Sequence, residues 1–319
     1  MIRWDRIRTA AHLARPGQAS DKYRRGVLGL RTGSTAYPGA AVLGAEAAWR
    51  TGLGMLRYVP PVGDPAPALG LPTPAAAVLA ARPETVFADG TAGSARCDAW
   101  VVGSGTDSAL RSFAEEEAIR RLLAGADPVV VDAGAIGLLL RGSPEAPVVL
   151  TPHRGEFLAL WRGLDLGERP SGWPASRDEL PGEAALHDAA VSLATRLGAT
   201  VLLKGSTTVV RTPGGFAASC GPATPWLATA GTGDVLAGIL GALLAAHSRE
   251  VRGDPELLGP LAASAALLHD VAARLAAGEG ASDDGADDDE TGGDGTVRPI
   301  TALDVAHALP AAVAVVRRG

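Results

Sequence analysis

Ala99-Trp100-Val101-Val102-Gly103, then Leu110 to Ala124, then Pro128-Val129-Val130-Val131-Asp132 is the stretch that decides the fold. Two short runs, apolar throughout, enclose a segment of helical period that carries Glu115-Glu116-Glu117 on one face. Strands without polar alternation are buried on both sides, which marks a parallel sheet covered by helices. The pattern repeats outward. Ala146 to Thr151 reads as the next strand, after a Gly-rich turn and a short helix. A helix from Ala185 to Leu197 leads into the strand Thr200-Val201-Leu202-Leu203-Lys204, and Thr207 to Arg211 reads as its hairpin partner. The expectation is an α/β fold in one domain over residues 1–319, with a mostly parallel central sheet and helices on both faces.

The composition narrows the function. Of 319 residues, 47% are apolar and 20% charged, which excludes a disordered or collagen-like chain. A net charge of -6 supplies no field for a polyanion, so nucleic acid is not the expected partner. The opening Met1 to Arg8 is broken by charge before a secretory core forms, and Val235 to Ala246 is too short to span a bilayer. A cytoplasmic protein without membrane partners is expected. Cys97 and Cys220 fit no metal-ligand spacing and read as reduced structural thiols. Two segments look inserted. Gly163 to Gly182 reads as a surface loop, and Gly278 to Thr296 as an acidic, disordered insertion whose glutamate spacing does not suit a Ca²⁺ loop. Only Lys22 and Lys204 among 29 basic residues are lysine. Each either marks a place where a compact ammonium is needed or survives by chance.

Parallel sheets bind ligands beyond the carboxyl ends of their strands. Gly103, Asp132, Thr151-Pro152-His153 and Lys204-Gly205 fall at such ends. The strongest motif is Ala230-Gly231-Thr232-Gly233-Asp234, ahead of the apolar run from Val235. Small residues opening a helix expose consecutive N–H groups at its positive end, an anion cradle in which Asp234 could take a proton from an attacking hydroxyl. Equally, Asp234 could be an ordinary first-turn or capping residue. Lys204-Gly205-Ser206-Thr207-Thr208 offers a cation and several donors to a nucleotide, or is a polar turn; the phosphate-loop spacing of nucleoside triphosphatases is absent. His153 and Glu156 share a first helical turn, where His153 could meet substrate and Glu156 could hold Mg²⁺ through water; no third ligand supports zinc. Gly33-Ser34-Thr35-Ala36-Tyr37-Pro38-Gly39-Ala40-Ala41 and Gly103-Ser104-Gly105-Thr106-Asp107 are glycine turns that admit a ligand or are plain loops.

Taken in order, these pieces resemble the ADP-dependent NAD(P)H-hydrate dehydratase family of the ribokinase-like superfamily. The carrying stretches are GVLGLRTGSTAYPGAAVLGAEAAWRTGLGMLRYV, VVGSGTD, VVVDAGAI, VVLTPHRGEF, VLLKGSTTVV and TPWLATAGTGDVLAGILGALLAA, from about Arg25 to Ala246. The resemblance implies repair of hydrated NADH or NADPH, in its S form, with ADP as co-substrate giving AMP and phosphate, and Mg²⁺. It implies that Ala41, Gly105, His153 and Asp234 meet the hydrated dinucleotide, with Asp234 as the catalytic base. Lys204, Gly205, Ser206, Thr207, Thr208 and Gly233 would hold the adenine nucleotide, and the metal ligands stay unassigned. It also implies a homo-oligomer, possibly a tetramer, coupled to a separate epimerase, because the residues before Arg25 are too few to contain the fused one. Three departures stand out: Ala230 for a glycine, Ser104 for a proline between Gly103 and Gly105, and Gly134 for an aspartate after Asp132-Ala133. None removes Asp234 or the second glycine of either turn. A vitamin-precursor kinase of the same superfamily is the nearest alternative, and a silent dinucleotide-binding protein the next.

Overall fold

Each strand turns alternate residues to opposite sides, and here both sides are apolar. Val101, Val130, Val149 and Leu202 join one hydrophobic core, while Val102, Val131, Leu150 and Leu203 join a second across the sheet. The computed structural model describes residues 1–13, 15–67, 70–89, 96–164, 166, 170–174, 181–280 and 297–318. Its strands are β1 Ile2–Arg3, β2 Val27–Arg31, β3 Met55–Tyr58, β4 Val86–Phe87, β5 Ala99–Val102, β6 Val129–Val131, β7 Val148–Leu150, β8 Thr200–Leu203, β9 Thr208–Arg211 and β10 Ala217–Cys220. They form one sheet in the order β1-β10-β9-β8-β7-β6-β5-β2-β3-β4. Only β9 runs against the rest, as the hairpin between β8 and β10 requires. The expected parallel sheet is borne out.

The helices are α1 Arg6–Ala10, α2 Pro38–Thr51, α3 Pro74–Ala81, α4 Phe113–Leu123, α5 Arg154–Gly163, α6 Glu183–Leu197, α7 Thr232–Ala246, α8 Ser248–Gly253, α9 Leu258–Ala277 and α10 Ala302–Arg318. Residues of α2, α7, α9 and α10 fill the first core; those of α4, α5 and α6, with the 3-10 helix Ala133–Arg141, fill the second. The chain builds outward from β2 through β3 to β4, then returns to lay β5 against the other flank of β2. That reversal puts the switch point of the sheet between the ends of β2 and β5.

Two local expectations change. The Glu115-Glu116-Glu117 face of α4 is not uniformly solvated: Glu115 turns inward and pairs with the buried Arg31 at the end of β2. Val62 N–H donates to the same carboxylate at 2.7 Å. Glu116 and Glu117 stay outward on Arg120, Arg141 and Arg121. Within Gly163 to Gly182, the described Trp173 does not lie free at the surface; it stacks on Trp161, centroids 4.9 Å apart, against the second core. Residues 281–296 of the acidic segment lie outside the described residues.

Candidate active site

Five strand ends converge on this edge of the sheet, and glycine decides how closely. Gly33, after β2, has φ +78, and a Cβ there would sit 2.8 Å from that of Ala41. Gly105, after β5, has φ +64, and a Cβ there would sit 2.3 Å from Ala40 Cβ. The two glycine turns therefore interlock over the N-terminus of α2, which has Pro38 at its start and no side-chain cap. Gly105 is partly exposed, whereas Ala41 is fully buried and offers a ligand no surface. Ala41 shapes the turn from beneath.

The second group lies across β7 and β8. His153 is the N-cap of α5: its Nδ1 accepts from Gly155 N–H at 2.9 Å and Glu156 N–H at 3.3 Å. Glu156 answers by accepting from His153 N–H at 2.8 Å. The Glu156 carboxylate thus closes the helix start through Oε2. The His153 ring is 62% exposed, and its backbone pairs with that of Lys204, which brings the candidate substrate and nucleotide residues side by side.

Lys204, Gly205, Ser206, Thr208 and Gly233 line a cavity of about 730 Å³. Thr207 does not line it and lies against Gly221, where a Cβ would stand 3.1 Å from Thr207 Cα. The wall residues that the sequence did not single out include Trp4 before α1, and His269 and Asp270 on α9. His269 and Asp270 follow the apolar run from Ala265 to Leu268, and the pattern of a largely buried helix conceals them. Burial holds its ring down to about 4, so it is neutral at physiological pH. Burial likewise pushes the thiols of Cys97 and Cys220 up to about 12, and both are free, as expected.

Asp234 lies in the first turn of α7: its neighbour Gly233 lines the cavity and Asp234 itself does not, while its carboxyl feels the charges of Asp132 and Lys204. α7 begins at Thr232 with Gly231 as its N-cap at φ +91 and no capping side chain. Thr232 N–H donates to Thr229 and Val235 N–H to Gly231, which leaves the N–H groups of Gly233 and Asp234 without an acceptor among the described residues. The Asp234 carboxylate accepts no hydrogen bond there either. Burial first, then the negative charge of Asp132, pushes its carboxyl up to about 6, with Lys204 acting against them. A carboxylate that titrates there, unpaired beside free amides, is equipped to remove a proton next to a bound anion.

The departures noted in the sequence have local causes. Ala230 is exposed and outside the left-handed position, which Gly231 occupies. Ser104 donates to Asp132 at 2.8 Å, a bond that proline could not make. At Gly134 a Cβ would lie 2.2 Å from the Thr106 carbonyl oxygen, so no aspartate fits in this backbone.

The mostly parallel sheet, with a cavity over its carboxyl ends and a glycine-turn helix start, has the ribokinase-like fold. A solved ribokinase-like superfamily protein from Enterococcus faecalis, 21% identical, superposes with TM-score 0.68 over 100% of this chain and 97% of that one. Residues 28–288 match the family described as NAD(P)H-hydrate dehydratase, and the chain belongs to it. It is 34% identical over 236 residues to the ADP-dependent (S)-NAD(P)H-hydrate dehydratase of Xanthomonas campestris, covering 70% of this chain and 74% of that protein. The bifunctional NAD(P)H-hydrate repair enzyme Nnr of Mycobacterium tuberculosis is 39% identical over 244 residues, 74% of this chain. This chain covers less than half of that relative, 44% of its length. The solved ADP/ATP-dependent NAD(P)H-hydrate dehydratase from Bacillus subtilis, co-crystallized with ATP/Mg²⁺, is 25% identical, with TM-score 0.73 over 99% and 98% of the two chains.

Proposed function

We propose that this chain dehydrates the hydrated forms of NADH and NADPH, in their S form, back to the reduced dinucleotides. The cost of removing hydroxide is met by ADP, which gives AMP and phosphate. The observation that carries this reading is the Asp234 carboxylate, raised to about 6 and without a hydrogen-bond partner among the described residues, next in the chain to Gly233, which lines the cavity with Lys204. In its ionised form Asp234 takes the proton from the hydroxyl at C6 of the nicotinamide ring. The oxygen attacks the β-phosphorus of ADP, forming a C6 phosphoester while the bond to the AMP oxygen breaks. The free N–H groups of Gly233 and Asp234, with Lys204 beside them, stabilise the charge on the transferred group. Phosphate then leaves C6 with its bonding electrons, pushed by the ring nitrogen, and loss of a C5 proton restores the double bond.

Lys204, Gly205, Ser206, Thr208 and Gly233 hold the nucleotide, with Thr207 supporting their loop, and Gly105 and His153 meet the dinucleotide. The described residues contain no cluster of three His, Cys, Asp or Glu. That donor set suits Mg²⁺ carried in on the phosphates and largely hydrated, where it would neutralise phosphate charge. The same reading includes a single domain, self-association, a cytoplasmic setting and supply of the S form by an epimerase.

The test mixes purified protein with hydrated NADH and ADP and follows recovery of the reduced-nicotinamide absorbance. Recovery that depends on ADP is expected. Recovery with ATP alone would reassign the nucleotide, and no recovery with either would sink the dehydratase in favour of a superfamily kinase.

A further inference from the structure

Four neighbouring parallel strands, β5 to β8, end in residues that reach one another. Asp132, directly after β6, is 3% exposed. Its Oδ2 accepts from Ser104 Oγ at 2.8 Å, beyond β5. Its Oδ1 accepts from Thr151 Oγ1 at 2.7 Å, beyond β7, and from Lys204 Nζ at 3.0 Å, beyond β8. A buried carboxylate is costly unless matched, and one ammonium with two hydroxyls matches this one. Lys204 in turn has limited freedom. Its Nζ lies 3.6 Å from where a Cβ would stand on Gly233, so the ammonium is held between Asp132 and the start of α7. Ser104 sits between Gly103 and Gly105, in the glycine turn that the dehydratase reading assigns to the dinucleotide.

We propose that Asp132 is the positioning residue of the reaction, fixing the Lys204 ammonium beside the α7 cradle and tying it through Ser104 to the Gly103–Gly105 turn. The turnover part of this rests on the dehydratase reading; the placement does not. One carboxylate then sets both the cation that faces the phosphoryl group and the turn that faces the dinucleotide. It also acts on the base. The charged groups facing Asp234 are Asp132 from the end of β6 and Lys204 from the end of β8. With Asp132 neutral, Asp234 loses a like charge and gains the full attraction of Lys204, so it becomes a weaker base.

Two measurements test the placement without any turnover. Lys204 is one of only two lysines, so its ammonium signal in ¹⁵N NMR is assignable in the wild-type chain, with the exposed Lys22 as internal reference. The proposal expects a Lys204 signal in slow hydrogen exchange before nucleotide is added. A signal averaged like that of Lys22 would overturn it, and this reading needs no variant to fold. The second follows the Asp234 carboxyl by ¹³C NMR, identified by its loss in Asp234→Asn. In Asp132→Asn its midpoint should fall by about half a pH unit or more, whereas Thr151→Val, which removes a donor but no charge, should leave it in place. An unmoved midpoint in Asp132→Asn would overturn the coupling. If the wild-type enzyme dehydrates the hydrate, Asp132→Asn should lower kcat about 100-fold with KM for ADP changed less than about threefold. Equal loss in both parameters would make Asp132 a binding residue instead. An inactive wild type with the expected NMR results would refute the function and leave the positioning intact.

Discussion

Asp234 shows what the site asks of one side chain. Its carboxyl ordinarily titrates near 3.8, and burial together with Asp132 raises it to about 6. The basic form is the working form, so kcat/KM should fall as pH drops through about 6, a limb measurable in the hydrate assay. The same shift acts on stability. The folded state holds the proton more tightly than the unfolded chain, so stability is lost as pH rises from 3.8 towards 6 and the penalty is complete above that. Asp234→Asn should therefore abolish turnover, keep ADP binding, and stabilise the fold at pH 7.5 by on the order of 1 kcal/mol after allowance for partial exposure. Urea unfolding should find little or no gain at pH 4. An equal gain at both pH values would mean that the stabilisation comes from packing. Asp234 and its cradle were legible in the sequence because glycines ahead of an apolar run leave few other readings. Asp132 was visible only as a polar strand end. Its partners Ser104, Thr151 and Lys204 lie 28, 19 and 72 residues away, and only the parallel sheet brings them together.

At the scale of elements, the turns and helix starts carry the recognition. Gly105→Ala would strain a left-handed position and drive a methyl into Ala40, displacing the first turn of α2. KM for the hydrated dinucleotide should rise about tenfold or more while ADP affinity, read by calorimetry, stays within about twofold. α4 makes a different point. Glu115 makes a buried pair with Arg31 and accepts from Val62 N–H, so losing its carboxylate in Glu115→Ala should cost about 3 kcal/mol in denaturant unfolding, against a few tenths for the exposed Glu117→Ala. The sequence pattern showed α4 as amphipathic but not which glutamate turns inward, because that depends on Arg31 from a distant strand. β5, β6, β7 and β8 were readable as uninterrupted apolar runs. β2 was not, because Gly29 breaks its pattern; a Cβ there would lie 2.3 Å from the Trp100 ring, so the indole of β5 requires the gap.

For the whole molecule, a parallel sheet between two helical layers follows from apolar runs alternating with helices. The strand order does not, since the return from β4 to the far flank of β2 leaves no local mark. The acidic segment poses the remaining question at this scale. α9 ends at Ala277 with Gly278 in the left-handed position at φ +83. Arg298 N–H donates to the Ala277 carbonyl at 2.9 Å, and Arg298 Nε to that of Ala276 at 2.9 Å. The chain therefore leaves for residues 281–296 and returns from them at one place, already pinned by described residues. Replacing those sixteen residues with a four-residue Gly-Ser linker shortens a closed loop, which favours the fold by about 1 kcal/mol. It also removes seven carboxylates and takes the net charge from -6 to +1. The shortened protein should melt within about 3 °C of the parent or slightly above it, turn over hydrated NADH within about twofold, and lose its retention on an anion exchanger. A large loss of turnover with unchanged melting would instead place those acidic residues in the catalytic cycle, and a large drop in melting temperature would place them in the fold.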